Sequence, residues 1–203
     1  MRLKTALWYD VLKRALDIFG AMVAIVFTSP FFILIPLLIK LDSKGPAFFF
    51  QKRCGKGNKE FKIFKFRSMV DNAEDMKKEF YPNPDSPFKM NNDPRLTRLG
   101  KFLRKSSLDE IPQFFNVLKG EMSLVGPRPL AAEEMEFNPL WRDMRLKVKP
   151  GITGLWQISA RGETNPKAWM KYDLFYVQNR SIWLDIKILF KTFPVVFRGT
   201  GAV

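Results

Sequence analysis

The longest apolar stretch of the chain covers residues 18–39, between Asp17 and Lys40, and carries no charge. Its roughly 22 residues would be enough for a helix to span a bilayer. The dipeptide Ser29-Pro30 lies at its middle. Proline removes an amide donor and clashes with the preceding turn, so a helix bends there. The pattern therefore predicts two helical halves separated by a break at Ser29-Pro30.

Basic residues flank this stretch on both sides. They are Arg2, Lys4, Lys13 and Arg14 before it, and Lys40, Lys44, Lys52, Arg53, Lys56 and Lys59 after it. Because Lys and Arg mark the cytoplasmic side of a membrane segment, both ends are expected on the same side. Residues 1–40 are therefore predicted to form a membrane-associated re-entrant helix hairpin, and a true span is the alternative.

Two short segments rich in phenylalanine follow, at residues 47–52 and 61–67. Residues 54–58 between them are typical of a turn, which predicts a β-hairpin. Alternation along the second segment places Lys65 and Arg67 on one face. These two cations either point together or guard a solvated edge strand.

The remaining pattern predicts mostly helices, at residues 71–80, 111–118, 131–148, 169–176 and 182–197. Residues 155–158 indicate a short strand. The last helix is apolar but carries Asp185, Lys187 and Lys191, which fits a helix in the membrane interface or one packed on the core. The expected fold class is α/β, with mostly short helices and few strands, in one domain over residues 1–203.

Charge narrows the classes of partner. The 203 residues carry a net charge of +14 and a pI near 10.0. Such an excess implies an anionic partner, and nucleic acid, anionic lipid headgroups and phosphorylated small molecules all qualify. The chain has no histidine and one cysteine, Cys54, so a structural zinc site is not expected and an internal disulfide cannot form. A carboxylate-held Mg²⁺ stays open.

The candidate for chemistry is the adjacent carboxylate pair Asp109-Glu110. Without histidine, a carboxylate is the group expected to do acid, base or nucleophilic work. The structural alternative is a capping box, in which Ser107 caps a helix and Glu110 reaches back to its amide. The two interpretations are compatible, because a helix N-terminus also favours a carboxylate and a bound phosphate.

A second candidate is Arg128, which lies between Pro127 and Pro129. The two prolines restrict its backbone to an extended form. An arginine fixed in this way is suited to bidentate recognition of phosphate. An ordinary structural turn is the alternative.

Several short motifs occur in one order along nearly the whole chain. They are Lys13-Arg14-x-x-Asp17, Ser29-Pro30, Asp42-Ser-x-Gly45-Pro46, Phe50-Gln51-x-Arg53-x-Gly55, residues 61–69, Thr97-Arg-Leu-Gly100, Ser107-Leu-Asp-Glu-Ile-Pro-Gln113, Asn116-Val-Leu-Lys-Gly120, Met122-Ser-Leu-Val-Gly-Pro-Arg-Pro129 and Lys149-Pro-Gly-Ile-Thr-Gly154. In this order they resemble the bacterial sugar transferases, the monotopic polyprenol-phosphate phosphoglycosyl transferases. The length is similar to the minimal, catalytic-domain form of that family.

The resemblance implies a two-step exchange at the cytoplasmic face of the bacterial inner membrane. A UDP-sugar donor would give its phosphosugar to Asp109 and release UMP, with Glu110 as catalytic partner and Mg²⁺ contacting Asp109. A polyprenol phosphate such as undecaprenyl phosphate would then accept the phosphosugar. Arg104 and Arg128 match the phosphate-contact positions, and Lys65 and Arg161 are further candidates. The segment before Arg161 departs slightly from the commoner pattern.

Two other functions are compatible with parts of the sequence. A glycosyltransferase would use the same donor but release UDP. A basic, aromatic-rich protein that binds nucleic acid at the membrane fits the composition, but leaves Asp109-Glu110, the broken apolar run and the Arg128 segment without a joint explanation. The partners expected are therefore the two substrates and membrane lipids, and not nucleic acid.

Overall fold

The computed structural model describes residues 7–73, 75–76, 93–160 and 166–198. The helices within them are α1 (Leu7–Thr28), α2 (Phe31–Asp42), α3 (Arg98–Lys105), α4 (Gln113–Lys119), α5 (Pro139–Arg145), α6 (Leu155–Ser159), α7 (Pro166–Asn179) and α8 (Ile182–Arg198). The strands are β1 (Phe48–Cys54), β2 (Glu60–Phe66), β3 (Ser123–Val125) and β4 (Gly151–Thr153), and short 3₁₀ turns occur at Lys56–Asn58, Leu108–Glu110 and Glu133–Met135. The predicted class, α/β with mostly helices and few strands, is confirmed.

Helices α1 and α2 meet at Ser29-Pro30 with a bend of 57°. Pro30 has no amide hydrogen for the carbonyl of Val26, and Ser29 Oγ donates to that carbonyl at 2.8 Å. Thr28 Oγ1 donates to Ala24 O at 2.6 Å in the same turn. The break thus lies where the sequence predicts it. Among the described helices, no single one has the length and apolar character to cross a bilayer, whereas this bent pair together does.

Both arms of the bent pair pack against the rest of the protein. Helix α1 buries Tyr9, Asp17 and Ala21, and α2 buries Ile35 and Ile39. Helix α1 contacts α4 and β3, while α2 contacts α3. The other faces of the pair expose large apolar side chains, which are Trp8, Val11, Leu12, Leu16, Phe19, Met22, Val23, Val26, Phe27, Ile33, Leu34, Leu37, Leu38 and Leu41. The pair therefore presents an apolar band away from the packed domain.

Strands β1 and β2 form the predicted antiparallel hairpin. Gly57 makes the turn possible, because its φ of 69° lies in the left-handed region, which glycine adopts without strain. Asn116 of α4 covers the outer edge of β2, since its side chain accepts from Phe64 N at 3.0 Å and donates to Lys62 O at 2.8 Å. Arg67 is buried. The alternative of a solvated edge strand guarded by charge is therefore wrong.

Strands β3 and β4 form a parallel ladder that the sequence pattern does not predict. Residues 155–158, predicted as a strand, belong instead to α6, and the strand lies just before them. Backbone pairing decides this, because Gly126 N donates to Thr153 O at 2.9 Å and Ser123 N donates to Pro150 O at 2.8 Å. A Cβ on Gly151 would overlap Gly126 N, so a side chain there would separate the two strands.

The predicted helix at residues 131–148 is also wrong in extent. The chain there forms the Glu133–Met135 turn and then α5. Asn138 starts α5 by accepting from Trp141 N at 2.9 Å, and Pro139 is the first residue of the helix, a position where its missing amide costs nothing. The predicted helices at 169–176 and 182–197 lie within α7 and α8. Half of the one predicted at 71–80, residues 74 and 77–80, falls outside the described residues.

Candidate active site

The carboxylate pair lies on the short Leu108–Glu110 turn between α3 and α4. Ser107 precedes it with a φ of 57°, in the left-handed region, and its side chain makes no capping hydrogen bond. The alternative of a capping box is therefore wrong. Pro112 provides the physical reason, because it stands at the N-cap of α4 and lets the helix begin only after the pair.

Glu110 contacts two cations. Lys65 Nζ donates to Glu110 Oε1 at 2.8 Å, and Arg128 Nη1 lies 3.7 Å from the same oxygen. Lys65 comes from β2, and Arg128 comes from the loop after β3. The structure thus brings together three residues that lie far apart in the sequence, and all three were candidates on sequence grounds.

Asp109 is buried, with 7% of its surface exposed. Burial raises the pKa of its carboxyl to about 6; the Lys65 ammonium opposes this rise and the Glu110 carboxylate adds to it. The guanidinium groups of Arg104 and Arg128 also lower this pKa. At neutral pH the group is therefore ionised but more basic than an ordinary aspartate, which suits a nucleophile.

Arg104 reaches the site from α3. Its Nε donates to Ser68 Oγ at 3.0 Å. Helix α3 packs tightly against the segment that carries Ser68, because a Cβ on Gly100 would overlap the carbonyl oxygen of that serine. Burial lowers the pKa of Arg104, and the Asp109 carboxylate opposes this. Ser68 is a supporting residue that sequence reasoning missed, and its only signal is its place in the motif at residues 61–69.

The loop that carries Arg128 is held by backbone pairing on one side. Gly151 N donates to Pro127 O at 2.9 Å, and Gly126 N donates to Thr153 O at the same distance. The Arg128 side chain itself is 43% exposed, so its guanidinium is open to a ligand while its backbone is fixed. The alternative of an ordinary turn does not account for the contact with Glu110.

The described part of the chain contains no group of three or more acidic, cysteine or histidine side chains that could hold a metal ion. The residues present still fit Mg²⁺, which usually takes one or two carboxylates and completes its shell with water and substrate phosphates. Asp109 supplies such a carboxylate, whereas Glu110 Oε1 already contacts Lys65. Arg161, the remaining predicted site residue, lies outside the described residues.

Known proteins resemble this chain over most of its length. It is 44% identical over 198 residues to undecaprenyl-phosphate galactose phosphotransferase of Salmonella typhimurium, covering 94% of this chain and 41% of that protein. It is 46% identical over 198 residues to UDP-glucose:undecaprenyl-phosphate glucose-1-phosphate transferase of Klebsiella pneumoniae, with 93% and 40% covered. It is 41% identical over 197 residues to exopolysaccharide production protein ExoY of Rhizobium meliloti, with 94% and 87% covered.

This chain therefore spans less than half of the first two relatives and most of the third. The family model described as bacterial sugar transferase matches residues 8–199, nearly the whole chain. On that match, and on relatives above 40% identity, the chain belongs to the bacterial sugar transferase family.

Proposed function

We propose that this protein transfers a sugar 1-phosphate from a UDP-sugar to undecaprenyl phosphate and releases UMP. The observation that carries the proposal is the buried Asp109 carboxylate, with a pKa of about 6, among the cations of Lys65, Arg104 and Arg128. One relative is named an undecaprenyl-phosphate galactose phosphotransferase, and another is named a UDP-glucose:undecaprenyl-phosphate glucose-1-phosphate transferase. Both names support this class of substrates. The product, polyprenyl-diphosphate-sugar, would begin the assembly of a bacterial glycoconjugate.

The reaction proceeds in two displacements at phosphorus. An oxygen of Asp109 attacks the β-phosphorus of the UDP-sugar, the bond from that phosphorus to the bridging oxygen breaks, and UMP leaves. An acyl phosphate then joins Asp109 to the sugar phosphate. A phosphate oxygen of the polyprenol phosphate attacks the same phosphorus, and the aspartate carboxylate is released. A carboxylate is an adequate leaving group here, because acyl phosphates are reactive.

The neighbouring side chains have separate tasks in these steps. Phosphoryl transfer depends on positioning and on neutralising charge, and both substrates are anions that Asp109 would otherwise repel. Arg104 and Arg128 bind phosphate oxygens. Lys65 Nζ donates to Glu110 Oε1 at 2.8 Å and so keeps Glu110 oriented beside Asp109. In this position Glu110 is the catalytic partner of the nucleophile. Arg161 is proposed as a further phosphate contact, and this role rests on the family resemblance alone.

Mg²⁺ belongs to this proposal as the cofactor. Asp109 would hold it together with oxygens of the substrate diphosphate, and the ion would supply charge neutralisation at phosphorus. The protein itself contributes to this charge neutralisation through the cations of Lys65, Arg104 and Arg128.

The proposed location is the cytoplasmic face of the bacterial inner membrane. The N-terminal part of α1 is tied to the domain, since Lys13 Nζ lies 3.2 Å from Asp185 of α8. At the other end of the bent pair, Asp42 Oδ2 accepts from Leu99 N at 3.3 Å. Both outer ends therefore contact one domain. This favours a hairpin that enters and leaves on one side, with the apolar band in lipid.

The function is tested by UMP release from purified protein in nanodiscs, given Mg²⁺, undecaprenyl phosphate and a panel of UDP-sugars. We expect UMP from one or two sugars, and none with Asp109→Asn. Asp143→Asn, which changes an exposed carboxylate on α5, serves as the matched control and should retain activity. Donor labelled in the β-phosphate should label the protein when the acceptor is withheld. Release of UDP, or equal turnover in Asp109→Asn, would refute the proposal.

The location is tested by cysteine labelling from outside intact spheroplasts. Cys54 is buried, so single cysteines placed at Asp10 and Lys44, which are both exposed, carry the signal. Both are expected to react only after the membrane is opened. Labelling of one position from outside would indicate a span.

A further inference from the structure

A buried ion pair that is separate from the Asp109-Glu110 pair contacts the loop that carries Arg128. Arg145, the last residue of α5, is 5% exposed, and its Nε lies 3.1 Å from Asp173 Oδ2 on α7. Asp173 is buried to a similar degree, with 6% exposed. The guanidinium also stacks on the ring of Trp141, 4.6 Å from the ring centre. From this position Arg145 Nη2 donates a hydrogen bond to the carbonyl oxygen of Arg128.

Stability alone does not explain this pair. Burial lowers the pKa of Arg145 and raises the pKa of Asp173, so both charges are held in the interior at a cost. Buried ion pairs can often be replaced by apolar residues without loss of stability. An apolar pair here, however, would leave the Arg128 carbonyl without the donor that it has.

The stretch around Arg128 has few amide hydrogens of its own. Pro127 and Pro129 have no amide hydrogen, so this stretch can be held mainly through its carbonyls. The neighbouring carbonyls use backbone donors, since Pro127 O accepts from Gly151 N and Leu130 O accepts from Cys54 N, both at 2.9 Å. Arg145 supplies the contact between these two anchors.

We propose that Arg145, oriented by Asp173, is a positioning residue that fixes the backbone of Arg128 and thereby aims its guanidinium at substrate phosphate. The inference rests on the proposed function, in which Arg128 binds phosphate. The contacts of Arg145 are with the Asp173 carboxylate, the Trp141 ring and the Arg128 carbonyl, so its proposed effect on phosphate binding is exerted through Arg128. Its planar guanidinium can contact Asp173 and the carbonyl at once, whereas the ammonium of a lysine presents no such fork.

The test is a double-mutant cycle on UMP release, with Arg145→Lys, Arg128→Ala and the two combined. Arg145→Lys should lower kcat by about 100-fold, the order expected for a misplaced catalytic group, with a smaller change in KM. In the Arg128→Ala background the same change should have almost no further effect, because the group that it positions is gone. Arg142→Lys, at a partly exposed neighbour on α5, is the matched control and should leave kcat unchanged.

Additive losses in the cycle, or an unchanged kcat in Arg145→Lys, would overturn the proposal, since a purely structural role would lower activity regardless of residue 128. Thermal unfolding shows whether each variant folds. Should Arg145→Lys fail to fold, Asp173→Asn takes its place in the cycle with the same expectation of non-additivity.

A binding measurement separates failure of this inference from failure of the proposed function. UDP affinity measured by calorimetry should fall at least 10-fold in Arg145→Lys and stay unchanged in Arg142→Lys. Absence of UMP release in the wild type would count against the function only. Equal UDP affinity of Arg145→Lys and the wild type would count against the positioning role.

Discussion

Replacing Asp109 with asparagine should abolish turnover and, at about pH 8, make the folded protein more stable. Burial is the main reason that the pKa of Asp109 is about 6 instead of the ordinary 3.8. One pKa unit corresponds to about 1.4 kcal/mol, so the ionised carboxyl costs the folded state about 3 kcal/mol. Asparagine has nearly the same shape without the charge. For a chain of this size, the gain corresponds to a rise in Tm of about 6–12 °C.

The raised pKa of Asp109 also predicts how the stability of the folded protein changes with pH. Between about pH 4 and pH 6 the folded state still holds the Asp109 proton that the unfolded state has lost, so wild-type stability falls as the pH rises through this window. The advantage of Asp109→Asn should therefore be nearly absent at about pH 4 and complete above about pH 7. Thermal unfolding in detergent, followed by tryptophan fluorescence at several pH values, measures it.

Asp93→Asn is the matched control with the opposite sign. Asp93 is as buried as Asp109, but its hydrogen bonds to Arg95, one of them 2.6 Å long, hold its pKa below the ordinary value. Its charge therefore stabilises the fold above the unfolded pKa, and this contribution is lost as the pH falls. Asp93→Asn should lower Tm at about pH 8. A lower Tm for Asp109→Asn, or a change in Tm independent of pH, would refute the reasoning.

Three further predictions concern the rate, the packing of α3 and the anchoring of α1. If Asp109 attacks as a carboxylate, kcat/KM should rise with pH to a plateau with an apparent pKa of about 6, and a fall over this range would contradict its role as nucleophile. Gly100→Ala should lower both Tm and activity, because its Cβ would overlap Ser68 O; a normal Tm would show that α3 can shift without cost. Asp17→Asn should destabilise the protein by about 1.5–3 kcal/mol, since the buried Asp17 carboxylate accepts from Ser123 Oγ and Leu124 N, while Lys13 keeps Asp185 as a partner; unchanged denaturant unfolding would show that α1 is anchored elsewhere.

Features that depend on neighbouring residues could be predicted from the sequence. The break at Ser29-Pro30 follows from a missing amide and a nearby hydroxyl, both within one helical turn. The hairpin follows from its alternating pattern and its turn residues. The failed predictions have two causes. The capping box fails for a local reason, because Pro112 delays the start of α4 until after the carboxylate pair. The strand predicted at residues 155–158 fails because β3, a partner distant in the sequence, pairs with residues 151–153 instead.

The sequence by itself determined the residue types of the site, the order of its motifs and the place where the apolar run breaks, because these depend on covalent chemistry and short-range backbone geometry. Only the tertiary structure decided which cations meet Glu110, how far burial raises the pKa of Asp109, and that Arg145 supports Arg128 through a carbonyl. Those properties arise from contacts between segments tens of residues apart and from exclusion of water, which exist only once the chain has packed.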